Sequence, residues 1–274
     1  MPELPEVETV CRSLAQELDG RSIAAVRALS WERLIAAPSA AELCADLCDR
    51  RVVKVERRAK YILIRLDREQ TLVIHLRMTG QVLLADPADP VDKHTHIVLE
   101  LDDGRELRFR DPRKFGRWWL LDPPGIAALD GKLGPEPLDS RFTAAALRER
   151  IGARRMAIKP VLLDQSVVAG VGNIYADEAL WRAKIHPQRS AATLSDDEIA
   201  ALRQGIVESL QSGIERRGTS FSDYRDARGQ AGENQHHLFA YGQTGNPCAR
   251  CGAPIERIVV AQRSTHLCPH CQQL

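Results

Sequence analysis

At 274 residues the chain is long enough for one large domain or two to three small ones, each with a buried core. Lys plus Arg number 38 against 37 Asp plus Glu, a net charge of +1, so bulk charge supplies no polyanion binding and any nucleic-acid surface must be a local cluster. No apolar run approaches the length of a membrane span, and the acidic, proline-bearing start lacks the pattern of a signal peptide, which predicts a cytoplasmic protein with no membrane partner.

The chain opens Pro2-Glu3-Leu4-Pro5-Glu6-Val7-Glu8-Thr9. Val7, Val10, Cys11, Leu14 and Leu18 recur at the 3.6-residue period, and Asp19-Gly20 closes the pattern, predicting a helix packed by one face. Pro5 suits the first helical turn because its missing N–H costs nothing there, and Glu6 and Glu8 suit the positive end of the helix dipole. Were Met1 removed, Pro2 would carry a secondary amine with an α-amino pKa of about 8, a nucleophile able to form Schiff bases. Glu3 would sit beside it. The plain alternative is a capped amphipathic helix with no chemistry.

From Arg21 to about Leu121 the pattern is short apolar runs: Arg51–Val55, Tyr61–Leu66, Thr71–Leu76, Gln81–Ala85, Thr95–Leu101, Arg105–Arg110 and Arg117–Leu121. Asp102-Asp103-Gly104 is a hairpin signal, and the spacing predicts a two-sheet antiparallel sandwich against the first helix, with a short helix at Ala41–Cys48. Two turns carry bulky residues: His75-Leu76-Arg77-Met78-Thr79-Gly80 and Asp111-Pro112-Arg113-Lys114-Phe115-Gly116. Met78 and Phe115 are either tucked into the core or are wedges for a base stack, with Arg113 filling the space of a displaced base. Basic residues cluster at Arg50–Lys60, Arg105–Arg117 and Arg148–Lys159; each run is either a solvated face or a polyanion contact.

Asp122-Pro123-Pro124-Gly125 ends the sheets, and Gly131 to Pro137 reads as a boundary. Helical periodicity follows over Phe142–Ile151, Met156–Leu163, Ala176–Ala183 and Asp196–Arg217, the last opened by a capping box of Ser195 and Glu198. Gly170-Val171-Gly172-Asn173 brings the backbone close to a neighbour and opens a helix whose N–H groups suit a phosphate, or is a plain packing joint. Residues 218–245 have little periodicity and predict a mobile loop.

Seven cysteines are present. Cys11, Cys44 and Cys48 read as small apolar residues. Cys248-x-x-Cys251 and Cys268-x-x-Cys271, sixteen residues apart, predict one structural Zn2+ bound by four thiolates with no position open for water. A hairpin of Ile255–Val260 and Thr265–Cys268 would carry Arg263 near its tip.

The opening string, the two wedge turns, the glycine-rich turn and the four-cysteine hairpin, in that order, resemble the bacterial formamidopyrimidine-DNA glycosylase (Fpg/MutM) family from end to end. The resemblance implies an α+β, multidomain fold: an N-terminal helix and β-sandwich over residues 1–134, a helix–two-turn–helix domain with a lesion-recognition loop over 135–237, and a β-hairpin zinc finger over 238–274. It implies removal of 8-oxoguanine and formamidopyrimidines from double-stranded DNA in bacterial base-excision repair, with Pro2 as nucleophile, Glu3 as acid, and strand cleavage by β,δ-elimination. By the same resemblance Met78, Arg113 and Phe115 intercalate, and Lys60, His75, Lys159, Asn173 and Arg263 contact phosphates, with Lys60 and Arg263 counted in the catalytic set. Thr219, Ser220, Phe221, Ser222, Asp223 and Tyr224 would present amides to the oxopurine. The match is looser at Glu233-Asn234-Gln235, where the family more often has an aromatic residue before Gln. A monomer is expected, with no organic cofactor. The rivals are a hydrolase using an activated water, which needs no free amine, and a non-catalytic DNA- or RNA-binding module built on the zinc hairpin.

Overall fold

Helix α1 forms where the apolar stripe places it, over Leu4–Leu18, with Glu3 as N-cap and Asp19 as C-cap. Its face of Val7, Val10, Cys11, Leu14 and Leu18 is buried in one core with Ile62, Leu72, Ile97, Leu99, Phe109 and Trp118. Truncating a fully buried leucine such as Leu14 to alanine costs about 2–5 kcal/mol, so this face alone fixes the helix on the sheet. The computed structural model describes residues 1–28, 31–221 and 224–274; Ser222 and Asp223, two of the expected base-contacting residues, lie outside the described residues.

The chain divides into two compact units, one of residues 1–130 and 217–233, the other of residues 131–216 and 234–274. In the first, β1 (Ser22–Ala28), β2 (Ile35–Ala37), β3 (Arg50–Arg58), β4 (Tyr61–Leu66), β5 (Thr71–His75), β6 (Gln81–Ala85), β7 (Thr95–Leu101), β8 (Glu106–Arg110) and β9 (Arg117–Leu121) run in the order β2-β9-β5-β4-β3-β1-β7-β8-β6. The two expected sheets are joined through the short β1–β3 pairing of Ser22 with Arg51 and Ile23 with Arg50. One pair, β2 with β9, is parallel rather than antiparallel. Helix α2 (Ala40–Leu47) has the Ser39–Glu42 capping box.

Asp122-Pro123-Pro124-Gly125 does more than end the sheet: it opens a helix, α3 (Pro123–Asp130). The Asp122 carboxylate accepts from the Gly125 N–H at 2.9 Å, and proline is tolerated in the first turn, so a turn signal and a helix start look alike in sequence. The three basic runs are largely engaged within the protein. Arg57 pairs with Glu8, Arg58 with Asp130, Arg105 with Glu17 and Asp103, Arg108 with Glu106, Arg110 with Asp92 and Arg148 with Asp196. For these arginines the structure therefore favours an internal role over a polyanion contact.

The second unit is helical: α4 (Ala144–Ile151), α5 (Ile158–Leu163), α6 (Asn173–Ala183) and α7 (Asp196–Glu215), with the Ser195–Glu198 capping box at the head of α7. Helix α6 is buried along Ile174–Trp181. The hairpin β10 (Glu256–Val260) and β11 (Arg263–Leu267) completes the unit. Its turn is Ala261-Gln262, both residues at positive φ, so Arg263 is the first residue of β11, paired with Val260, rather than part of the tip. Of residues 218–245, expected as one mobile loop, the described ones are divided between the units and anchored in both. Asp226 pairs with Arg217 and accepts from the Arg228 and Gln230 N–H groups, Ala227 enters the sandwich core, and Glu178 accepts from the Phe239, Ala240 and Tyr241 N–H groups.

Candidate active site and nucleic-acid interface

Pro2 and Glu3 are buried where the chain enters α1. The Glu6 carboxylate accepts from the Glu3 N–H at 2.8 Å and, through its other oxygen, from the Thr219 N–H at 2.7 Å. The Tyr224 hydroxyl donates to the Glu6 carbonyl at 3.2 Å. Glu6 thus caps the helix and also holds Thr219 and Tyr224, two of the residues expected to read the base.

Lys60 is buried in the turn between β3 and β4, behind Ala59 in the left-handed region at φ 52°. His75 ends β5 opposite Tyr61, whose ring meets it edge-on at 4.7 Å. Its Nδ1 accepts from the Arg77 N–H at 2.9 Å, which puts the ring proton on Nε2. Burial first, then the charges of Arg77 and Lys60, pull the His75 pKa down to about 3. Near neutrality His75 is a neutral donor, able to give one hydrogen bond to a phosphate oxygen but no charge.

Met78 is 44% exposed and Phe115 46% exposed, so neither is tucked into the core. The Arg113 guanidinium lies 4.9 Å from the centre of the Phe115 ring, a cation–π stack that holds a long side chain extended in solvent. An exposed methionine and an exposed arginine–phenylalanine pair on adjacent turns form a surface suited to entering a base stack.

In the helical unit, Asn173 is the first residue of α6 and donates through Nδ2 to the Ser264 carbonyl at 3.0 Å. Lys159 is placed differently from the expectation of a phosphate contact. It is fully buried, with its ammonium 2.6 Å from Asp177 and donating to the Ser264 carbonyl and Thr265 hydroxyl at 2.8 Å each. Asp177 also accepts from the His266 N–H at 2.9 Å. Lys159 thus ties α5 and α6 to β11 and supports Asn173 and Arg263 from behind. Arg263 itself is exposed. Sequence reasoning missed Asp177 and His266. Two adjacent acids, Asp177 and Glu178, inside an otherwise apolar helical stretch were the available signal.

The four tail cysteines converge, with all Sγ atoms within 4.8 Å of one another, which fits one tetrahedral ion. Cys248 and Cys268 are buried in a small cluster with Trp181, Ala240 and Ile255, and the Trp181 indole N–H donates to Cys248 Sγ at 3.4 Å. That hydrogen bond stabilises a thiolate and fixes its direction. No helix among the described residues is long and apolar enough to cross a membrane.

Three family models match the chain: the formamidopyrimidine-DNA glycosylase N-terminal domain over residues 1–118, the formamidopyrimidine-DNA glycosylase H2TH domain over 133–225, and the zinc finger found in FPG and IleRS over 245–274. The formamidopyrimidine-DNA glycosylase of Herpetosiphon aurantiacus is 59% identical over 99% of this chain and 100% of its own length. That of a Roseiflexus species is 54% identical over 100% of both chains. Among solved structures, a mutant Lactococcus lactis FPG in complex with a Fapy-dG containing DNA superposes with a TM-score of 0.94 at 39% identity over 100% of both chains. The Lactococcus lactis protein with an abasic site containing DNA gives 0.93 at 39% identity, covering 99% of this chain and 100% of that one. With matched models from one end of the chain to the other and relatives aligned along their full length, this chain belongs to the formamidopyrimidine-DNA glycosylase family.

Proposed function

We infer that this chain is a bifunctional DNA glycosylase and AP lyase of base-excision repair that removes oxidised purines from duplex DNA. The relatives carry that glycosylase name, and the similar structures hold Fapy-dG and abasic-site DNA. The observation that carries the chemistry is the burial of Pro2 and Glu3 at the head of α1 under the grip of Glu6.

Once Met1 is removed, the Pro2 nitrogen attacks C1′ of the damaged nucleotide while Glu3 acts as acid at the sugar, and the C1′–base bond breaks. The ring opens to a Schiff base between Pro2 and C1′. That cationic imine acidifies the C2′ proton, so β-elimination expels the 3′ phosphate, and δ-elimination then expels the 5′ phosphate. Met78, Arg113 and Phe115 fill the gap left by the extruded nucleotide. Lys60, neutral His75, Asn173 and Arg263 bind phosphates, and Lys159 acts behind them. Cys248, Cys251, Cys268 and Cys271 would hold one Zn2+, which would brace the hairpin that presents Arg263 and leave no position open for water. Residues 1–134 carry the reaction, 135–237 bind DNA and read the lesion, and 238–274 form the zinc finger. Bacterial relatives and a chromosomal substrate support a cytoplasmic location.

Borohydride trapping on a duplex carrying 8-oxoguanine opposite cytosine tests the mechanism. The expected result is a covalent adduct that maps by mass to Pro2. Base release without an adduct would favour an activated water instead. Binding with neither would favour a non-catalytic DNA-binding module.

A further inference from the structure

The two turns that carry Met78 and the Arg113–Phe115 pair are far apart in sequence, yet one buried side chain holds both. Asp111 is 1% exposed. Its Oδ1 accepts from the Thr79 hydroxyl at 2.6 Å, and its Oδ2 accepts from the Gly116 N–H at 2.7 Å. The Arg113 N–H points at both Thr79 Oγ1 and Asp111 Oδ1, at 3.3 Å each. The residue's own backbone is fixed as well: its N–H donates to the His94 carbonyl at 2.9 Å, and its carbonyl lies 3.0 Å from His96 Nε2.

The floor beneath the turns is also shared. A Cβ on Gly80 would come within 3.0 Å of Phe109 Cζ, and one on Gly116 within 2.4 Å of the same atom. Both turns therefore lie flat on a single ring, which is itself locked edge-on against Trp118 at 5.5 Å. Shared contact with the Asp111 carboxylate and the Phe109 ring leaves the two turns little freedom to move separately.

We propose that Asp111 is a positioning residue that couples the two turns, so that Met78 and Arg113–Phe115 enter the duplex as one rigid wedge. This rests on the wedge reading of the proposed function and deepens it. Extruding a base demands that the side chains filling the gap arrive together, since a half-filled gap leaves stacking unreplaced. A carboxylate with donors from both turns enforces that, because freeing the Met78 turn costs Oδ1 its short Thr79 hydrogen bond and loosening the other turn costs Oδ2 its Gly116 hydrogen bond.

The test compares two substrates. Asp111→Asn sets an amide NH2 against either the Gly116 N–H or the Arg113 N–H and Thr79 hydroxyl, and Thr79→Val removes the hydroxyl from the Met78 turn while leaving the carboxylate intact. Both are assayed on a duplex with 8-oxoguanine and on the same duplex with a pre-formed abasic site, which has no base to extrude. The expected result is a fall of about 100-fold in excision, the scale of a misplacement of about 1 Å, with abasic-site cleavage within about fivefold of the parent. In the parent, Met78→Ala and Phe115→Ala should be non-additive, becoming multiplicative in the Thr79→Val background. Equal loss on both substrates would reduce Asp111 to a fold-stabilising residue, and unimpaired excision by both variants would remove the coupling. Failure of the parent protein to release 8-oxoguanine would instead overturn the proposed function.

Discussion

The sandwich unit displays the cationic Arg113 on a turn and the helical unit displays the cationic Arg263 at the start of a strand, and the two are anchored differently. Arg113 stands above a large aliphatic core, and what positions its turn is a single carboxylate, Asp111, receiving neutral donors. Arg263 stands on a two-stranded hairpin whose share of the core is a handful of residues around two cysteines. There the anchoring falls to a fully buried ion pair, Lys159–Asp177, and to four sulfurs converging on one point. Where apolar burial is ample, polar groups are free to set fine position. Where it is scarce, charge and metal must supply stability as well.

Glu3→Gln gives the largest effect and should leave both anchors alone. Excision of 8-oxoguanine should fall by about 10²–10⁴-fold, the usual contribution of a general acid, while duplex affinity is unchanged. Normal excision kinetics would remove Glu3 from the acid role. Chelation of zinc separates the units: hydrogen exchange should rise across 244–274 while β3 to β5 stay protected. Uniform protection would show that apolar packing alone holds the hairpin.

Asp177→Ala strands the Lys159 ammonium in the interior and should cost about 3–5 kcal/mol by denaturant unfolding, more than most surface ion pairs contribute. A cost near zero would mean that the pair is no anchor. The smallest effect concerns His75. Its folded pKa, about 3, lies below the unfolded value of 6.5, so the unfolded chain binds the extra proton between them. The His75 contribution is therefore fully present above pH 6.5 and is lost as pH falls towards 3. In His75→Gln the fall in melting temperature over that window should be shallower than in the parent; identical slopes would show His75 to be solvated.

The patterns legible in sequence were local ones. The 3.6-residue stripe of α1, the short apolar runs from Tyr61 to Leu121, the Ser195 capping box and the paired Cys-x-x-Cys motifs depend on neighbours within a few residues, and they appear where local pattern puts them. The start of α3 was hidden because proline and glycine mark turns and helix heads alike. Local pattern also identified Met78, Arg113 and Phe115 as unusual turn residues, though not whether they were buried.

Tertiary structure decided what each charge is for. Lys159 meets Ser264 across 105 residues and Thr79 meets Asp111 across 32, so no window of sequence contains both partners. The same holds for the basic runs, which read as candidate polyanion surfaces until Glu8, Glu17 and Asp130 are brought against them. Sequence fixes which residues can carry charge or bind metal, because that is a property of the side chain. Whether the charge faces solvent, a substrate or a buried counter-ion depends on the elements folded against it, because desolvation and pairing energies exist only between groups that folding has brought together.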